Sequence, residues 1–171
     1  MLLQGKKAAS FARKPDPKFW AVLAFGEDEG LASDNGQLLI SAWAGKAKHA
    51  DVTLLDDDAI RKEPALLFDA LEAVSLLGDP RVVRVRTSGD KIAKLLIDAI
   101  EEGDKSEGRF SAHLLIETGS LQKKSKLRGA AEAAKLTACL QFFADEGADI
   151  EQRVKQALKE SGVEIEPDAL R

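Results

Sequence analysis

The sequence predicts an α/β fold, a five-stranded parallel sheet flanked by helices, followed by the start of a small helical second domain. Three observations predict it. Short apolar runs rich in Val, Leu, Ile and Phe alternate with stretches of helical period along the chain. The first run, FWAVLAF at 19–25, is apolar throughout, as strands buried on both faces of a parallel sheet are. After residue 143 the alternation stops and a charged helical pattern replaces it.

The elements follow in order. Residues 1–17 read as a polar lead-in. The strand at 19–25 runs into GEDEG, an acid-rich turn, and then a helix with Leu31, Leu38, Leu39, Ala42 and Trp43 on one side. DVTLL at 51–55 is the second strand, ending in Asp56, Asp57 and Asp58. Pro64 suits the first turn of the next helix. Its inward stripe is Leu67, Ala70, Leu71 and Val74. RVVRVR at 81–86 is the third strand, followed by a helix with Ile92, Leu95, Leu96 and Ala99 inward. AHLLIET at 112–118 is the fourth, followed by a basic helix through 134, and TACLQFF at 137–143 is the fifth. Beyond it, Ile150, Val154 and Leu158 lie four apart on a charged helix that Gly162 can stop. EPDALR then opens like another helix, with Pro167 at its first position. The expected division is an α/β domain over 1–144 and the beginning of a helical domain over 145–171, within a longer protein.

Bulk properties narrow the function. The chain has 171 residues, 44% hydrophobic and 32% charged, with a net charge of -4. A freestanding nucleic-acid binder is usually basic, so any such contact here comes from a local patch. One cysteine, Cys139, allows no internal disulfide and fits a reducing cytoplasm. No apolar run approaches the roughly 18 residues that span a membrane.

Folds of this class bind phosphate at the turn after the first strand, which makes that turn the place to look for a nucleotide site. A phosphate-binding loop needs glycines, a Lys and a magnesium-holding hydroxyl. Here Glu27, Asp28 and Glu29 occupy the loop, and no Lys precedes Ser33. Three carboxylates beside a triphosphate repel it, so the turn reads as an acidic helix start favoured by the helix dipole. The third strand carries Arg84 and Arg86 on one face, where a magnesium-dependent ATPase would place acids. Their partners are Asp56 to Asp58, or they lie on an incompletely covered face. The triple-aspartate run reads as a solvated helix start in preference to a metal site. His113 reads as a core or sheet-edge residue, His49 as a group supporting a helix end, and Cys139 as buried. No catalytic, cofactor-binding or metal-binding residue is assigned.

Two segments remain. LQKKSKLRG places Lys123, Lys124, Lys126 and Arg128 early in a helix, where cations oppose the dipole. They are either a solvated face with carboxylate partners or a contact for nucleic-acid phosphates. The second segment is SLLGDP at 75–80. If the helix before it continues, Leu76 falls about 180° from the buried stripe and Leu77 about 80° from it. Either the chain bends and tucks both leucines under the sheet, or they form an exposed apolar tip that fills a partner's pocket.

Four pieces in order, KPDPKFWAVLAFGEDEGLA, LFDALEAVSLLGDPRVVRVR, LLIETGSLQKKSKLR and GVEIEPDAL, carry a resemblance to the N-terminal part of the delta subunit of the bacterial DNA polymerase III clamp loader. The resemblance spans nearly the whole chain. It implies an AAA+-like (P-loop-like) domain with a degenerate nucleotide site, a helical lid domain, and a missing third domain that joins the other clamp-loader subunits. It implies a non-catalytic, cytoplasmic subunit without cofactors. Its partners would be the sliding clamp (beta) and, within the complex, primed DNA, with no membrane association. Members of the family open the clamp with a hydrophobic pair on an exposed loop, commonly Leu-Phe after a Ser. The matching positions are Ser75, Leu76, Leu77 and Gly78, with Leu77 replacing the aromatic residue. SDNGQ at 33–37 also departs from the strong helix formers expected there. The competing readings are a divergent P-loop-like, nucleotide-dependent enzyme and a DNA-binding module that uses the basic helix at 123–128.

Overall fold

The computed structural model describes residues 1–47 and 49–143. The expected helical domain over 145–171 lies outside the described residues. Six strands are formed: β1 (Leu2–Gln4), β2 (Ala21–Gly26), β3 (Asp51–Asp56), β4 (Arg81–Thr87), β5 (Ala112–Thr118) and β6 (Thr137–Phe142). Every pairing is parallel, in the order β1-β6-β2-β5-β4-β3. The helices are α1 (Lys6–Arg13), α2 (Glu29–Ala44), α3 (Asp57–Lys62), α4 (Ala65–Glu72), α5 (Ala93–Lys105) and α6 (Lys126–Ala133).

The extra strand corrects the five-stranded expectation. Residues 1–17 are not a plain lead-in: β1 pairs with β6 at the sheet margin, and α1 follows it. A three-residue strand is too short to show the alternation that identifies strands in sequence. Its backbone partners on β6 define it.

Strand alternation sends apolar side chains to both faces. Leu23, Phe25, Val83, Val85, Leu114 and Ile116 meet residues of α3 to α6 on one face. Val22, Ala24, Val82, Leu115 and Leu140 meet α1 and α2 on the other. β2 is central, flanked by β6 and β5, and all six of its residues are buried, as its continuous apolar run requires. β3 is an edge strand. Its Leu55 is buried, whereas Val52 and Leu54 on the opposite face are exposed.

Two predicted stripes shift. On α2 the buried residues include Ala32, Gly36, Leu39 and Ile40, and Leu38 is exposed. On α4, Leu67 and Leu71 are buried as expected, but the helix stops at Glu72 and Val74 lies beyond it in solvent. Ile92, Leu96 and Ala99 are buried at and along α5, as their spacing predicts. Among the described residues no helix is long and apolar enough to cross a membrane.

Candidate functional site: an exposed apolar turn

α4 delivers the chain to a short loop, and β4 takes it back into the sheet. Ala73 leaves helical geometry at φ -59° and ψ 135°, so the axis of α4 does not carry on into residues 74–78. A turn closes instead, with the Gly78 N–H donating to the Ser75 carbonyl at 3.4 Å. The Ser75 hydroxyl accepts from the Asp79 N–H at 3.2 Å and holds the far side of the same turn. Gly78 sits at φ +77°, a conformation that costs a residue with a Cβ about 1 kcal/mol or more. The base of the loop is tied to the edge strand, because the Asp51 N–H donates to the Pro80 carbonyl at 2.8 Å.

Leu76 and Leu77 occupy the two central positions of this turn. Their relative exposures are 101% and 88%, and that of Val74 is 75%. The tucked-under alternative is therefore excluded. Isolated exposed leucines are ordinary, but two in succession at the centre of a pinned turn, with exposed Val74 two residues before them, make this turn the candidate site. Val74 would join the buried stripe only if α4 ran on for a further turn, and it ends at Glu72. The signal against it was local: β-branched Val74 and turn-forming Ser75 follow one another, with Gly78 close behind.

The structure separates the four basic residues. Lys123 and Lys124 precede α6 and are exposed, and Lys126 is exposed on its first turn. Arg128 is buried. Its guanidinium donates to the Leu121 carbonyl at 3.1 Å and to Glu132 at 2.7 Å, and lies 5.0 Å from the centre of the Phe25 ring. It braces α6 against the sheet and is out of reach of an external phosphate. The start of α6 already has an anion: Asp90 accepts from the Ser125 hydroxyl at 2.7 Å and from the Lys126 N–H at 3.2 Å. That carboxylate offsets the unfavourable position of Lys126 on the helix dipole.

The nucleotide-loop position is filled from within. Asp28 caps α2, its Oδ1 accepting from the Leu31 N–H at 2.8 Å, and Glu29 lies in the first helical turn. A helix start that already holds its own carboxylate is a poor place for a phosphate. The three aspartates also have local partners. Asp56 caps α3 through the Ala59 N–H at 2.8 Å, Asp57 accepts from the Ser88 N–H and hydroxyl at 3.0 Å each, and Asp58 lies 3.8 Å from Arg61. Among the described residues, no group of three or more His, Cys, Asp and Glu side chains is placed to hold a metal ion.

The arginines of β4 do not pair with those aspartates. Arg84 donates to both oxygens of Glu117 on β5, at 2.9 and 2.8 Å, and Arg86 reaches the same carboxylate at 3.3 Å. Ser33 and Gln37 of α2 complete the cluster. Register alone does not choose, because Arg86 stands between Asp56 on β3 and Glu117 on β5; the Asp56 carboxylate is exposed and occupied in capping α3, whereas Glu117 is buried on the arginine face. His49 lies beyond the end of α2 and is exposed, so it supports no helix end. His113 stacks on Trp43 with ring centres 4.5 Å apart and planes 3° from parallel, and burial holds its pKa below the usual value. Cys139 is fully enclosed, and burial raises its thiol pKa to about 12. Neither group is set up as a nucleophile or base at an open site.

No protein-family model matches the chain, and no curated protein matches it either.

Proposed function

We propose that this chain is the clamp-engaging part of a clamp-loader delta subunit, which binds a ring-shaped sliding clamp through its Leu76–Leu77 turn and promotes ring opening during DNA replication. The observation that carries the reading is the full exposure of both leucines on a turn fixed by Ser75 and Gly78. The all-parallel sheet with helices on both faces is compatible with an AAA+-like domain, and the carboxylate-capped loop after β2 fits one whose nucleotide site has degenerated.

The mechanism is differential binding. A turn that fits a distorted ring interface better than a closed one shifts the ring toward opening, by no more than the difference between the two affinities. Burying two leucines contributes roughly 3–6 kcal/mol before the costs of association. Leu77 supplies less area than the aromatic residue usual at this position, so Val74 and the flanking loop add to the contact. ATP acts elsewhere in the loader and controls access to the turn. The subunit performs no chemistry of its own and works through its partners.

Capture of the clamp ring on gel filtration tests the reading. The wild-type chain co-elutes with the ring, and the Leu76→Ala, Leu77→Ala variant does not. Equal capture by both contradicts it. Calorimetry with magnesium and ATP tests the competing enzyme reading, for which micromolar binding would be required.

A further inference from the structure

We propose that α1 is a contact surface for a phosphodiester backbone, one that senses charge and not base sequence. Residues 1–26 carry five cations and a single carboxylate, while the remaining 145 residues carry 20 cations and 28 carboxylates. The acidic chain therefore has one strongly basic end.

Helical geometry gathers these cations. At 100° per residue, Lys6, Lys7, Ser10 and Arg13 fall within an arc of about 120°, and Lys14 follows directly as the residue that ends the helix. Ala8, Phe11 and Ala12 occupy the opposite arc and are buried against the sheet and α2. Lys6, Lys7, Arg13 and Lys14 are all exposed. Among the described residues, Lys7, Arg13 and Lys14 make no ion pair. The lone carboxylate, Asp16, is engaged by the Lys18 N–H at 2.9 Å. Along the axis of α1, Lys7 and Arg13 are about 9 Å apart. Lys7, Arg13 and Lys14, three long cations without an ion pair among the described residues, suit a repeating polyanion better than one fixed carboxylate.

Two features decide the class of polyanion. A helix that binds a lipid surface inserts an apolar face into it, and here that face is already used by the fold. The exposed arc has no aromatic side chain on which a base could stack, so the contact is to phosphates. This inference stands independently of the clamp reading, because α1 is separate in sequence and in the sheet from the loop at 73–80.

The test is fluorescence anisotropy with the full chain and a labelled 20-base-pair duplex of arbitrary sequence, titrated between 50 and 200 mM salt. Wild type binds, and its affinity falls steeply with salt. In the variant Lys7→Gln, Arg13→Gln, Lys14→Gln, the slope of log affinity against log salt falls by about 3, one unit per lost phosphate contact. The three positions are exposed, and an unchanged unfolding temperature confirms that the fold is kept. The parallel variant Lys123→Gln, Lys124→Gln, Lys126→Gln reports on the other basic segment. A wild-type slope in the α1 variant overturns the proposal, whichever way the second variant behaves. So does absence of duplex binding at 50 mM salt, or binding only to phosphatidylserine vesicles.

Discussion

Replacing Glu117 with Ala tests the buried ion cluster that joins β4, β5 and α2. Arg84 and Glu117 have side-chain exposures of 10% and 7%, with two charge-assisted hydrogen bonds between them. Removing one partner of such a pair typically costs 3–5 kcal/mol, because the other charge stays buried. Arg84 would keep Ser33 and Gln37, and Arg86 is half open to solvent. The expected loss is therefore at the lower end, about 3 kcal/mol. For a chain of this size each kcal/mol shifts the unfolding temperature by about 2–4 °C, giving a drop of roughly 6–12 °C. Circular dichroism melts measure it. The double change Arg84→Met, Glu117→Leu removes both charges and should recover most of the loss. A single variant that melts within 2 °C of wild type, on the order of the smallest shift expected per kcal/mol, would refute this account. So would a double variant no better than the single.

Gly36→Ala should destabilise the protein by about 1–3 kcal/mol although Ala is the better helix former, because the added Cβ collides with the Glu117 carboxylate; urea unfolding would show this. His113 has a depressed pKa in the fold, so its contribution to stability is complete above the unfolded value of 6.5 and is lost as pH falls toward the folded value. His113→Phe should flatten the stability–pH curve just below pH 6.5, read by denaturant melts across that range. Cys139 should resist a thiol reagent in the native state at pH 8 and react fully in urea. Its raised pKa contributes stability below pH 9.0, and that contribution declines between 9.0 and about 12. Ser75→Ala should weaken clamp capture several-fold by freeing the turn from the Asp79 N–H, with little change in melting.

The sequence made some features legible because they repeat. Five strands and the inward residues of α5 follow from alternation and helical spacing, and β5 has the predicted bounds. Other features depend on contacts between distant residues. β1 exists because Leu2 to Gln4 find Cys139 to Gln141, and no pattern within three residues reveals that. Arg84 pairs with Glu117, 33 positions later, and not with Asp56, although register sets both acids beside β4; the choice follows from Asp56 capping α3 and Glu117 being buried beside Arg84, neither of which shows in the sequence. Arg128 looked like one more surface cation in a basic run. Its burial follows from the Leu121 carbonyl, Glu132 and the Phe25 ring converging on it. The leucine turn was legible as a choice between two outcomes. Helical phase alone could not choose, because the end of α4 at Glu72 decides where both side chains point.

The most direct test is the affinity of the chain for an isolated sliding clamp, measured by surface plasmon resonance for wild type and for Leu76→Ala, Leu77→Ala. Truncating two leucines that become buried on binding should weaken the complex about a hundred-fold, almost entirely through faster dissociation. Indistinguishable dissociation rates, or no clamp binding by wild type, would contradict the assignment of this turn.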